Sequence, residues 1–242
     1  MSAPRLLLRL LTRCDDARPD PAADWIAIAE AGIAAGCDAV LLPADTAGPD
    51  PWMAAAALVD ALPDLRVVVS LQAGAMLPVA AAHLAQSLQS LSRGRALLAC
   101  EADARGVDAS GQHAHLNRDQ RLARSAEFLS ILAALWATRT PLRHRGTYFR
   151  VDHAQLPDLT LQRPPVYWCV GDRRELAWVA PFCDGAIVRA SASRAATAAV
   201  ECAYRARGLA PPPARTLFTR IAEFDDACGA AARRAAHRRS EA

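Results

Sequence analysis

The sequence predicts an α/β fold, a TIM-barrel-like (β/α) barrel that is truncated or open with about seven strands. Three observations predict it. Short apolar runs alternate with alanine-rich helical stretches along nearly the whole chain, and such alternation builds a parallel sheet with right-handed crossovers. Most of the runs are continuously apolar rather than alternating, as in strands covered on both faces. The 242 residues, 52% of them hydrophobic, suffice for one core and suit a single barrel domain over 1–242.

In chain order, strands are expected at residues 6–11, 39–43, 67–71, 96–100, 166–170, 186–188 and 216–224. Helices are expected between them at 22–35, 51–62, 78–91, 119–137, 173–181 and 194–207. Pro51 and Pro78 fall where a first-turn proline is tolerated, because that N–H would be unpaired anyway. Gly36 and Gly208 follow helices at C′ positions. Gly146-Thr147-Tyr148 reads as the turn of a small hairpin. After the seventh run come Asp225, Asp226 and an alanine- and arginine-rich helix at 227–239.

An eight-stranded barrel needs one strand more, so the chain lacks the usual C-terminal strand unless the count is short by one. The first and last strands would then carry open edges. Each lost backbone pair is worth about 0.5–1.5 kcal/mol, so a seam of about five pairs costs several kcal/mol. It also invites association. Closure by the terminal helix or by a partner chain, in a homo- or hetero-oligomer, is therefore expected.

Composition excludes several classes. Net charge is +3, spread along the chain, and aromatic content is 5%, which gives no footprint for nucleic acid. All 28 basic residues are arginine, which removes Schiff-base and P-loop lysine chemistry. No G-x-S-x-G elbow or G-x-G-x-x-G loop occurs. The seven cysteines form no C-x-x-C pair and read as free thiols of a cytoplasmic protein. The opening L-L-L-R-L-L is too short and too charged for a signal peptide, and no apolar run reaches membrane-spanning length. His113 and His115, with Asp103 and Asp108 nearby, lack a convincing third-ligand spacing, so no metal is expected.

The most distinctive stretch runs from Ser92 to Trp168. It opens on S-R-G-R-A-L-L and passes through R-x-x-x-S-A-E-F-L-x-I-L-x-A-L-W from Arg121 to Trp136. It continues with P-L-R-H-R-G-T-Y-F-R-V-D-H-A-Q-L and closes on Q-R-P-P-V-Y-W. In order and wording this resembles the bacterial luciferase-like flavin-dependent monooxygenases, most closely the alkanesulfonate monooxygenases. The resemblance implies reduced FMN delivered by a separate flavin reductase, a flavin peroxide formed with O2, and cleavage of the carbon–sulfur bond of an alkanesulfonate. It also implies departures. The family's arginine–leucine–histidine on the seventh strand is here Arg220-Ile221-Ala222. Its cysteine after the second strand falls on Gly48, and its histidine ending the first strand falls on Arg13. The asparagine and threonine of the fourth strand fall on Ala99 and Ala102, the tyrosine after the helix-opening arginine on Leu122. The glycine–glycine–serine phosphate loop falls on Cys169-Val170-Gly171-Asp172.

The site residues expected on this basis lie at the carboxyl ends of the strands. Arg220 is the catalytic candidate, stabilising a peroxide or holding a sulfonate by charge-assisted hydrogen bonds; an ion pair with Glu223, Asp225 or Glu101 is the alternative. Gly171, Asp172, Arg173 and Arg121 are candidates for the cofactor; Asp172 would repel a phosphate unless Arg173 or Arg174 compensates, and it also reads as a helix cap. Arg13 and Arg189 are candidates for a substrate anion, or for pairing with Asp15, Asp45 and Glu101. His144, between Arg143 and Arg145, could grip an anion or belong to the hairpin. Two functions follow: a reduced-FMN-dependent monooxygenase, or a catalytically degenerate paralogue serving as a binding or scaffold subunit of a related oxidoreductase.

Overall fold

The computed structural model describes residues 5–10, 20–44, 49–101, 116–157, 162–190, 193–206, 208 and 218–223, with only the backbone described at Arg5, Arg173, Tyr204 and 221–223. Arg13, Gly48, Ala102, His113, His115 and the helix expected at 227–239 lie outside them. Nine strands are described: β1 Arg5–Arg9, β2 Ala39–Leu42, β3 Val67–Gln72, β4 Ala96–Glu101, β5 Leu142–Arg145, β6 Arg150–Ala154, β7 Val166–Cys169, β8 Gly185–Arg189 and β9 Phe218–Glu223. Six helices accompany them: α1 Pro21–Ala34, α2 Pro51–Ala61, α3 Pro78–Leu91, α4 Arg118–Ala137, α5 Leu176–Val179 and α6 Arg194–Ala206. Short 3-10 turns, Arg173–Glu175 and Ala180–Phe182, flank α5.

The helices start where the sequence marks them. Pro21, Pro51 and Pro78 open α1, α2 and α3, positions whose N–H has no partner in the helix. Asp20 accepts the N–H of Ala23 at 3.0 Å and Asp50 that of Trp52 at 2.8 Å. Asn117 and Gln120 form a reciprocal capping box at the start of α4, satisfying two otherwise orphaned donors. Gly36 ends α1 at φ +90, a conformation that a Cβ would oppose.

Seven strands close into a barrel in the order β1-β2-β3-β4-β7-β8-β9, with β5 and β6 forming a separate hairpin. The expected strand count stands, and the expected open seam does not. β9 runs antiparallel to both neighbours, pairing Arg5 to Leu8 with Ile221 to Phe218 on one side, and Gly185 to Arg189 with Glu223 to Thr219 on the other. An apolar run shows that a strand is buried, not which way it points, and reversing one strand lets seven close without an eighth. Helix α6 packs on α1 across the closure.

Alternation along the strands sorts side chains into two layers. Leu7, Ala39, Leu41, Val68, Leu97, Ala99, Tyr167 and Ile187 fill the barrel interior. Their neighbours, among them Leu8, Val40, Val69, Leu98, Trp168 and Phe218, face the helices in the larger outer layer. The interior is filled with aliphatic groups and the Tyr167 ring, and it opens into a cavity at the strand ends.

Candidate functional site

Period two along each strand decides what reaches the mouth. Leu7 points inward, so Arg9 does too. By the same step Val68 leads to Ser70, Ala99 to Glu101, Tyr167 to Cys169 and Ile187 to Arg189. All five line one cavity of about 270 Å³, together with Thr219 on β9, Gly171 and Glu175. Two of its polar atoms, the Nε of Arg9 and the hydroxyl of Thr219, are buried without a hydrogen-bond partner. Buried polar atoms of this kind call for a partner, and a polar ligand at the mouth would supply one. Burial pushes the Cys169 thiol well up, and the nearby Glu101 pushes it further, against the opposing pull of Arg9. Cys169 is therefore a neutral thiol in this cavity and not a thiolate nucleophile.

The loop after β7 is built around a carboxylate. Glu175 is only 6% exposed. Its Oε2 accepts the indole N–H of Trp168 and the backbone N–H of Gly171, each at 3.0 Å. Its Oε1 accepts from Arg118 at 3.2 Å. The same Arg118 nitrogen donates to Asp172 at 3.0 Å, and Asp172 caps the turn by accepting the N–H of Arg174 at 3.0 Å. The Arg174 amide and then Arg118 hold the Asp172 carboxyl below its usual range, while bonding to Glu175 first and Asp172 second raises Arg118.

The expected site residues separate on this frame. Gly171 and Arg189 reach the mouth cavity, Arg189 as an exposed rim residue. Asp172 has the capping role and is ion-paired with Arg118. Arg121 sits in the first turns of α4, where its guanidinium donates to the carbonyl of Leu116. Arg220 is exposed and lies in register with Leu6 and Val188; Leu6 packs in the outer layer, so on β9 it is Thr219 and not Arg220 that faces the mouth. Of Arg173 only the backbone is described, in the turn before α5. His144 bonds Glu127 at 3.1 Å within the hairpin. Among the described residues, no group of His, Cys, Asp and Glu is arranged to hold a metal.

Sequence reasoning missed Arg9, Thr219, Glu175 and Arg118. Arg9 was detectable, since it breaks an apolar run two residues after an inward leucine. Glu175 and Arg118 were not, because their meeting joins segments 57 residues apart.

The flavin implied by the sequence needs a seat for its phosphate, and the residues of the β7 loop do not fit one. The N–H of Gly171 is already given to a carboxylate, and Arg118 is shared between Asp172 and Glu175. A dianion placed there would meet the carboxylates of Asp172 and Glu175, with the Gly171 amide and the Arg118 Nη2 already engaged.

The architecture matches solved structures of oxygenases. EDTA monooxygenase from Chelativorans sp. BNC1 superposes with a TM-score of 0.58 at 23% identity, covering 77% of this chain and 52% of that one. Monooxygenase RslO1 from Streptomyces bottropensis gives 0.62 at 17% identity, covering 85% and 67%. The oxygenating constituent of 3,6-diketocamphane monooxygenase from Pseudomonas putida, solved with FMN, gives 0.62 at 16%, covering 88% and 66%. This chain thus spans about half to two thirds of their lengths, and at these identities the likeness is one of fold. The family model described as luciferase-like monooxygenase matches residues 8–240. With a closed barrel, inward strand-end residues gathered at one mouth, and that match over almost its whole length, the chain belongs to the luciferase-like monooxygenase family.

Proposed function

We propose that this chain acts in the oxidation of a small organic anion held at the barrel mouth, with alkanesulfonates as the substrate class. The observation that carries the reading is the placing of two unpartnered buried polar atoms, Arg9 Nε and the Thr219 hydroxyl, on one small cavity with Arg189 at its rim. A sulfonate is acceptor-only, and guanidinium and hydroxyl groups are the donors that suit it. In this reading Arg9 and Arg189 take the anion and offset the carboxylates of Glu101 and Glu175 on the same cavity, while Ser70 and Thr219 orient it. Reduced FMN and a flavin reductase are the cofactor and partner that family membership implies.

A second reading has its own support. Glu175 fills the loop expected to seat a phosphate, which favours a degenerate paralogue serving as a binding or scaffold subunit beside an active barrel.

Two titrations separate them. Calorimetry with a short alkanesulfonate series is expected to give saturable binding that weakens at least tenfold in Arg9→Met. Anaerobic titration with reduced FMN, followed by a sulfite assay with reductase and O2, is expected to give saturation and product. Sulfonate binding without flavin binding or sulfite selects the scaffold reading. Absence of saturable binding for every sulfonate at millimolar concentration removes the anion site itself.

A further inference from the structure

We infer that Glu175 is a built-in anion that occupies the β7 loop in place of a phosphate, so that this barrel does not use that loop to distinguish FMN from riboflavin. The inference rests on the family reading for the identity of the excluded ligand and on geometry for the exclusion.

Three observations make the geometry. The carboxylate is buried and takes donors from three separate elements: the indole of Trp168 on β7, the backbone of Gly171 in the loop, and Arg118 at the start of α4. Two further amides of the turn are also committed: Arg174 N–H goes to the Asp172 side chain and Glu175 N–H to the Asp172 carbonyl, each at 3.0 Å. The approach is close: a Cβ built on Gly171 would lie 3.2 Å from the nearer Glu175 oxygen. The carboxylate is in contact with the backbone it bonds, so the Gly171 N–H is not open to a second acceptor while Glu175 stays in place.

An anion seat that is satisfied internally has a fixed occupant. A phosphate could enter only by displacing Glu175 into an environment where its three donors are lost, leaving the Trp168 N–H unsatisfied in the core. Removing the carboxylate should therefore convert an occupied seat into an open one, with Arg118, Gly171 N–H and Trp168 Nε1 all facing it.

The test uses the whole protein with three probes: inorganic phosphate, FMN and riboflavin. The wild type is expected to show no saturable binding of inorganic phosphate, and FMN and riboflavin affinities within about threefold of each other. Glu175→Ser, which opens the seat, is expected to bind phosphate at least tenfold more tightly than the wild type. Should that variant fail to fold, Glu175→Ala, which also vacates the seat and frees the Trp168 and Gly171 donors, is expected to gain in the same direction. The inference is overturned if the wild type binds FMN tenfold or more tightly than riboflavin, if it binds inorganic phosphate saturably, or if the folded variants gain no phosphate affinity. Failure of the family reading would look different: neither flavin binds wild type or variant, while inorganic phosphate still gains on removing the carboxylate.

Discussion

Arg9 interrupts an apolar run, and that one interruption puts a guanidinium at the end of a barrel interior that is mostly aliphatic. The mouth owes its chemistry to a few such positions, where the inward face of a strand turns polar at its last residue. The cysteines show the opposite effect of the same burial. Burial, with Asp38 beside it, pushes the Cys37 thiol up to about 11; burial first, then Asp184, pushes Cys183 well up, as burial and Glu101 do for Cys169. Iodoacetamide at neutral pH is therefore expected to label exposed Cys202 and to leave Cys37, Cys169 and Cys183 largely unmodified, read by peptide mass spectrometry. Rapid labelling of Cys169 in the folded protein would contradict that assignment. Asp172 carries a pH dependence of definite sign. Its folded-state pKa is depressed by the Arg174 amide and Arg118, so its contribution is present above the usual carboxylate range and fades as pH falls through the folded value. The stability difference between wild type and Asp172→Asn should accordingly shrink between pH 7 and about pH 3. A difference that stays constant over that window argues against the ion pair.

At the scale of elements, the motif stretch from Ser92 to Trp168 is chiefly a set of fastenings. Arg95, from the S-R-G-R opening, donates to the carbonyls of Val59, Leu62 and Leu65 at 3.1, 3.0 and 2.6 Å, closing the end of α2 and the turn that follows it. Glu127, from S-A-E-F, accepts the N–H groups of Thr147, Tyr148 and Phe149 and pins the hairpin turn onto α4. A Cβ on Gly146 would come within 2.0 Å of that carboxylate, and Phe149 packs on Phe128 with ring centroids 5.8 Å apart. Arg163, from Q-R-P-P, forms a two-armed pair with Asp184 at 2.8 Å on each arm, and Asp184 also accepts the N–H of Val166 at 2.7 Å. Glu127→Ala strips several backbone donors of their partner and is expected to cost about 1–3 kcal/mol. Gly146→Ala overfills the same contact, with an expected loss of about 1–3 kcal/mol. Chemical denaturation of the two variants and the double mutant checks both. Additive losses would show that the turn and the helix are not coupled there.

For the whole molecule, the reversed β9 is the feature on which closure depends. Phe218, 1% exposed, anchors this strand in the outer layer between β1 and β8. Phe218→Ala is expected to lower stability by about 3–5 kcal/mol and to bare two strand edges, with aggregation visible by light scattering. A variant of wild-type stability would mean that the seam is held by backbone pairing alone. With both edges paired, association no longer follows from an open barrel, and any oligomer must use another surface. Among the described residues no helix is long and apolar enough to cross a membrane.

The sequence by itself determined the alternation of elements, the strand count, the helix starts at Pro51 and Pro78 and the two-layer burial, because periodicity, proline and capping act within a few residues. It also determined the family, through a motif whose residues fasten helices and hairpins to one another. Tertiary structure alone decided that the last strand runs backwards, that Thr219 and not Arg220 faces the mouth, and that Glu175 fills the β7 loop. Strand direction, facing and a carboxylate shared between Trp168, Gly171 and Arg118 are properties of segments far apart in the chain. Local pattern carries no record of which distant donor a buried charge will find.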